Sequence, residues 1–324
     1  MRGRVQQIVV AAVLASCYMF IATTATSGSS GSVGQVVHVP RDYPTIQAAV
    51  DAVDEGDTVQ VEAGIYNENV VVSTSGVKVH ASGGVVLDGT GLTGIGVHVR
   101  GASAAAPVSG VEISNFEVAN FERGIIVQWA TNVRVHRNEV HDNVDKTPPL
   151  VLGDAAGIEL VTTQFTDVSQ NIVHHNGDGG IQLRVGSTQN TIRHNRVYEN
   201  GIQRLADMGA PGILVTGAGT HDNRIEHNEI LGNYGRGIMI TRPTGTAPVT
   251  GNLVAHNRLH GNHRSGVAIM FAATGNFVVH NDARDNNLSG LAPCYQCNLF
   301  DLSIGGNIWE KNLGTFNGSD ACAP

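Results

Sequence analysis

Aromatic residues make up only 5% of this sequence and charged residues only 15%. So few rings suit a narrow interior filled by stacked aliphatic side chains. Positive charge is scarcer than negative. The formal net charge is −8, and losing Arg2 and Arg4 with an amino-terminal leader would take it to −10. That balance disfavours nucleic acid as a partner and leaves room only for a local basic groove. The one long apolar run, residues 8–22, is too short and too weakly flanked to span a membrane. Of four cysteines, Cys17 lies in that run, so Cys294, Cys297 and Cys322 remain for the exported chain. Three thiols imply one disulfide and one thiol left over, with Cys322 paired to Cys294 or Cys297 to pin the tail. The Cys294-Tyr295-Gln296-Cys297 spacing lacks the βαβ context of a redox motif, and three cysteines make a poor zinc site.

A repeat organises what is present. An Asn recurs at 115, 138, 171, 195, 228, 257 and 281, and a second follows five residues after each, at 120, 143, 176, 200, 233, 262 and 286. Successive units lie 23, 33, 24, 33, 29 and 24 residues apart, a short turn lengthened by insertions in three places. Each unit holds short Val- and Ile-rich runs broken by Asn and Gly, and none holds a pattern long enough for a stable helix. Short strands stacked coil on coil form parallel sheets around one core. In such a stack the Asn amides point inward at the bends and bond to the coil above and below, about 4.8 Å away.

These units resemble the repeats of right-handed parallel β-helix proteins of the pectate-lyase-like superfamily, from Gln35 to Ala323. The resemblance implies an all-β fold, a single-stranded right-handed parallel β-helix solenoid with a short N-terminal capping helix. It selects no activity. The superfamily contains lyases, hydrolases, epimerases, esterases and non-catalytic proteins. The paired-Asp signature of polygalacturonases, the Asp-Pro-His motif of alginate epimerases and the Gln-Asp-Thr-type motif of pectin esterases are not found. No catalytic residue carries over.

In chain order, Met1 to Ala25 reads as a secretory signal peptide, so a secreted or extracytoplasmic location is expected. Leu14-Ala15-Ser16-Cys17 also resembles a lipobox, which would anchor the protein by lipid at Cys17. Residues 26–34 form a flexible Ser/Gly-rich leader and residues 35–324 a single β-helix domain, expected to be monomeric. Tyr43 to Val53 predicts one helix, with Pro44 near its first turn and Ile46, Ala49, Val50 and Val53 on one face, capping the open end of the solenoid. The stretch from Gly56 to Glu68 resembles the opening coil of pectin methylesterases, where those residues are structural.

Aligning the Gly-led strands sends two rows outward. One is His98, Ile126, Glu159, Gln182, Leu214, Met239 and Ala268; the other is Arg100, Gln128, Val161, Arg184, Thr216, Thr241 and Met270. Their polar members lie near the longest insertions, 144–156 and 201–210, and this places the candidate groove there. An acidic polysaccharide, or a cell-surface glycan, suits these residues best as partner. Arg184 would pair with a uronate carboxylate, and Lys146 or His175 would remove the C5 proton, giving a lyase or, with reprotonation on the other face, a C5-epimerase. Gln182, Gln128, Arg100 and Arg204 would bind substrate, while Asp154 and Glu159 would hold calcium, or Glu159 would take part in catalysis. A hydrolase would instead pair Glu159 with Asp154 or Asp178. A non-catalytic glycan- or surface-binding β-helix is the other class, favoured by the apolar residues Leu214, Met239, Ala268 and Met270. The column His194, His227, His256 and His280 invites a metal reading, but a coil spacing of about 4.8 Å is wide for two ligands of one ion.

Overall fold

The computed structural model describes residues 34–146, 155–203, 209–242, 247–271, 273–288, 297–303 and 305–316. The expected signal peptide and lipobox, and Asp154, Arg204, Cys294 and Cys322, lie outside them. Each coil runs through three strands, one in each of three parallel sheets. The first sheet has eleven strands, from Val36–Val39 to Ile308–Glu310. The second has eight, from Gly64–Tyr66 to Arg258–His260, and the third has ten, from Val70–Val72 to Leu299–Ser303.

Register is set by one aliphatic position per strand. In the first sheet Val135, Val168, Ile192, Ile225, Val254 and Val278 stack in direct register. Val118, Val140, Val173, Val197, Ile230 and Leu259 do so in the second. In the third, Ile125, Ile158, Ile181, Ile213, Ile238 and Val267 follow the same rule. All are buried in one continuous core. A one-residue slip would turn these side chains to the outside, so the register is held by the full hydrophobic stack.

The corners carry the Asn ladders. Asn138, Asn171, Asn195, Asn228, Asn257, Asn281 and Asn312 are joined amide to amide at 3.0–3.1 Å. Asn143, Asn176, Asn200, Asn233, Asn262 and Asn286 form the second ladder at 2.8–3.0 Å. Asn115 and Asn120 belong to neither. They are exposed, in the left-handed region at φ 66° and 63°, and the ladder positions of that coil are filled by Phe116 and Phe121. The backbone N–H groups of those two Phe residues donate to Asn138 and Asn143, so the first unit is offset by one residue from the pattern of the others. A third ladder, Asn190, Asn223, Asn252, Asn276 and Asn307, closes the remaining corner.

The capping helix is shorter than expected, Ile46–Ala52. Thr45 is its N-cap, accepting from the Ala48 N–H at 3.1 Å, so Pro44 precedes the helix and does not occupy its first turn. The Glu68 carboxylate accepts from the Ile46 and Gln47 N–H groups, both at 2.9 Å, which satisfies two more of the donors a helix start leaves open. Ile46, Ala49, Val50 and Val53 are buried over the first coil. No helix among the described residues is long and apolar enough to cross a membrane.

Candidate functional site

The two outward rows of the third sheet pair in the expected register. His98 lies beside Ile126, then Glu159, Gln182, Leu214, Met239 and Ala268. Arg100, Gln128, Val161 and Arg184 form the second row. Exposure departs from expectation. Glu159 is 2% and Gln182 0% exposed, and Ile126 and Ala268 are equally enclosed, so much of the first row is not a solvated surface. Gln128, Val161 and Arg184 in the second row remain partly open. The site is therefore half-covered. One side is closed and the other is reached past the second row.

Glu159 and Arg184 meet there. Arg184 Nη1 donates to Glu159 Oε1 at 2.9 Å, and Arg123 Nη1 stands 3.8 Å from Glu159 Oε2. Gln182 lies on the Arg184 strand, in register with Glu159, with both amide atoms buried and unbonded. A buried amide without partners is costly, on the order of 1–3 kcal/mol, and marks a place where a ligand group would be bonded. Gly179 makes room for it, since a Cβ there would come within 3.0 Å of the Gln182 Nε2.

Half-buried His98 is a member of the row that was not singled out as functional. Its Nε2 is 3.2 Å from Gln128 Oε1, a carbonyl-type acceptor, so Nε2 carries the proton and Nδ1 the lone pair. Burial pushes its pKa below the ordinary imidazole value, the Gln128 bond opposes this, and the Arg100 and Arg123 charges add smaller lowering effects. The signal lay in the sequence, because His98 heads the same outward row as Glu159 and Gln182. Arg100 stands over the Trp129 ring, 5.3 Å from its centroid.

Two proposed bases are placed elsewhere. Lys146 Nζ donates to the carbonyls of Gly89, Leu92 and Asn120 at 2.9, 2.7 and 2.6 Å, which makes it a clamp between loops. Its three protons are all engaged. His175 follows a second-sheet strand, hydrogen-bonded to His174 and 2.7 Å from the Glu199 carboxylate, in a network separate from Glu159 and Arg184. Asp178 is buried, and its Oδ1 accepts from the Gly179 N–H at 2.9 Å.

The Glu159 oxygens face the Arg184 and Arg123 guanidinium groups, and Asp154, its expected partner in a calcium site, lies outside the described residues. Among the described residues no three His, Cys, Asp or Glu side chains are grouped to hold a metal ion. The His194, His227, His256 and His280 rings stack face to face with centroids 5.1–5.3 Å apart. Parallel rings send their lone pairs outward side by side, so they do not converge on one ion. Cys297 is fully buried and disulfide-bonded.

Comparison with solved structures finds the same fold in several polysaccharide-related proteins. The A-module of the mannuronan C-5 epimerase AlgE4 from Azotobacter vinelandii aligns with a TM-score of 0.58 and 16% identity, over 87% of this chain and 93% of that one. An alginate lyase from Paenibacillus sp. aligns at 0.51 and 14%, over 87% and 99%. The enzymatically active domain of a bacteriophage CBA120 tailspike protein aligns at 0.56 and 13%, over 81% and 40%. At such identities the likeness establishes fold alone. No curated protein sequence matches. The model of the family described as right handed beta helix region matches residues 60–220 and 204–315. By that match, and by the three parallel sheets that wind around one core, the chain belongs to the right-handed β-helix family.

Proposed function

We propose that this protein acts on an acidic polysaccharide at the half-covered face of the third sheet, as a lyase or C5-epimerase of uronate residues. The observation that carries the reading is the buried, unbonded Gln182 amide beside the Glu159–Arg184 pair. Arg184 is about a third exposed and carries its positive charge beside Glu159 at the open row, a charge that suits a substrate carboxylate. Neutralising that carboxylate acidifies the adjacent C5 proton. The base that removes it must reach the sugar held by Arg184; His98 lies three strands away in the same sheet and would meet another sugar of the same polymer. Elimination of the C4 oxygen then gives an unsaturated product, and reprotonation from the opposite face gives the epimer. The mannuronan C-5 epimerase and the alginate lyase that share this fold support the substrate class.

The test is incubation with pectins, alginates and glycosaminoglycans, read by ultraviolet absorbance of unsaturated ends and by C5 stereochemistry. Turnover that is lost in Arg184→Ala supports the reading. Binding of one polymer with no turnover would overturn it in favour of a non-catalytic glycan-binding β-helix. That second reading draws on the apolar cluster of Ala268, Met270 and Phe300, with Met239 against it, which continues the same face away from the charged groups.

A further inference from the structure

Past the open row, where each third-sheet strand ends, the chain bends before it enters the first sheet. Trp129, Thr162 and Val185 follow Gln128, Val161 and Arg184, and all three take the left-handed region, at φ 49°, 54° and 23°. Thr162 and Val185 are β-branched, so the bend is strained and is held by what surrounds it. At these bends lies a cavity of about 200 Å³. One end is the loop of residues 101–107, closed by the Ala102 N–H on the Ala106 carbonyl, which brings Ala104 and Pro107 to the wall. The strand Arg123–Thr131 supplies Ala130 and Thr131, the strand Ile158–Gln164 supplies Thr162 and Gln164, and Gly186 lies at the other end. Thr131 and Gln164 pair in direct register and turn outward, since Ala130 and Thr163 beside them are buried. Neither side chain makes a hydrogen bond among the described residues. Thr162 Oγ1 donates to the Val185 carbonyl at 2.9 Å, which leaves its lone pairs to accept.

We propose that this cavity is a subsite for one uncharged sugar of a mixed polysaccharide, next to the uronate held at Arg184. The assignment rests on the reading of Arg184 as a carboxylate site, but on neither the base nor catalysis. Among the described residues no charged side chain lines the cavity, so a carboxylate entering it would lose water without gaining a cation. Ala104, Pro107 and Ala130 form an apolar wall, and Thr131, Thr162 and Gln164 a rim of donors and acceptors. A sugar ring presents the matching surfaces, C–H groups on its faces and hydroxyls around its edge. The cavity is smaller than the roughly 300–1,000 Å³ of sites that enclose a whole small ligand, so it fits one unit of a longer one. Gly186 comes two residues after Arg184, at most about 7 Å along the chain, so a polymer with a carboxylate at Arg184 brings an adjoining unit or branch to this corner.

Calorimetric titration with two pairs of polymers tests this: polyglucuronate against hyaluronan, and polygalacturonate against a chain that alternates galacturonate with rhamnose. Each pair shares its uronate, and only the second member adds an uncharged sugar. In the pair it binds, the protein should prefer the mixed member by about tenfold, the worth of one or two net hydrogen bonds. Thr131→Val combined with Gln164→Leu keeps the shape of the rim, removes its hydrogen bonds and should cut that preference to about twofold or less. Arg184→Ala should weaken both members alike. Equal binding of both members by the unaltered protein, or an unchanged preference in a double variant shown by its melting curve to be folded, would overturn the subsite and leave the Arg184 reading standing. A preference lost in the double variant, with Arg184→Ala binding as the unaltered protein does, would support the subsite and overturn the Arg184 reading. Failure to bind any of the four polymers would overturn both.

Discussion

Replacing Asn195 by Leu isolates what a ladder amide does. Its Nδ2 donates to Val168 O at 2.9 Å and to Asn228 Oδ1 at 3.0 Å, and its Oδ1 accepts from the N–H and the Nδ2 of Asn171 at 2.9 and 3.0 Å. Two of the partners keep another bond. Asn171 Nδ2 still reaches Val135 O, and Asn228 Oδ1 still accepts from the Asn195 N–H. The Asn171 N–H loses its amide partner deep in a corner, and the Val168 carbonyl, within the strand ladder, loses its side-chain donor. At about 1–3 kcal/mol for the buried group left unpaired, the loss is about 2 kcal/mol. For a domain of this size that lowers the melting temperature by roughly 3–4 °C. Calorimetry of Asn195→Leu beside Asn115→Asp is the assay. Asn115 sits at the same place in the sequence repeat but outside the ladder, and Asp tolerates its left-handed backbone, so its change should stay within about 0.5 kcal/mol. Equal melting points for the two variants would refute the assignment of the buried amide bonds as the source of corner stability.

Gly180→Ala should destabilise the fold and lower its melting point by several degrees, because the new Cβ would lie 2.8 Å from both Asn200 Nδ2 and Gly212 O, with Val197 closer still. His80, His98 and His174 all have pKa values lowered chiefly by burial, so each favours the folded state while neutral. Their contribution is present above the ordinary imidazole value of about 6.5 and is lost as the pH falls below it; melting followed from pH 7 to 5 should decline, and His98→Gln should flatten the decline. Non-reducing peptide mapping of the protein purified without reductant should find Cys297 linked to Cys294 or Cys322, and a free Cys322 thiol would remove the tail-pinning role.

Strand register was legible because a Gly leads each third-sheet strand and an aliphatic residue follows at fixed offset. The outward rows read from the sequence are the observed ones. What alternation could not supply was exposure. It decides which way Glu159 and Gln182 point, but their burial depends on connections between coils, which have no period. Long side chains were misjudged for the same reason. Lys146 lies in an insertion near the expected groove, yet three carbonyls of earlier coils capture it. The third ladder was hidden by its spacing: Asn190, Asn223, Asn252 and Asn276 each precede a first-ladder Asn by five residues, and a search for pairs takes up only the later two of the three. Phe116 and Phe121 were missed because a ladder position can be filled by an apolar side chain of suitable reach, which no amide motif detects.

That substitution divides the solenoid by the chemistry of its bends. Ahead of Asn138 the corners close on Phe116, Phe121 and Val111, and Val133 continues the apolar run into the next coil, all fully or almost fully buried. Beyond Asn190 all three corners close on amides. Apolar closure weakens on cooling, whereas amide closure does not share that temperature dependence. The two halves of one continuous wall thus respond to cold differently. The coils nearest the capping helix are the ones that chilling would loosen first, with the amide-bound coils as the rigid anchor from which they refold.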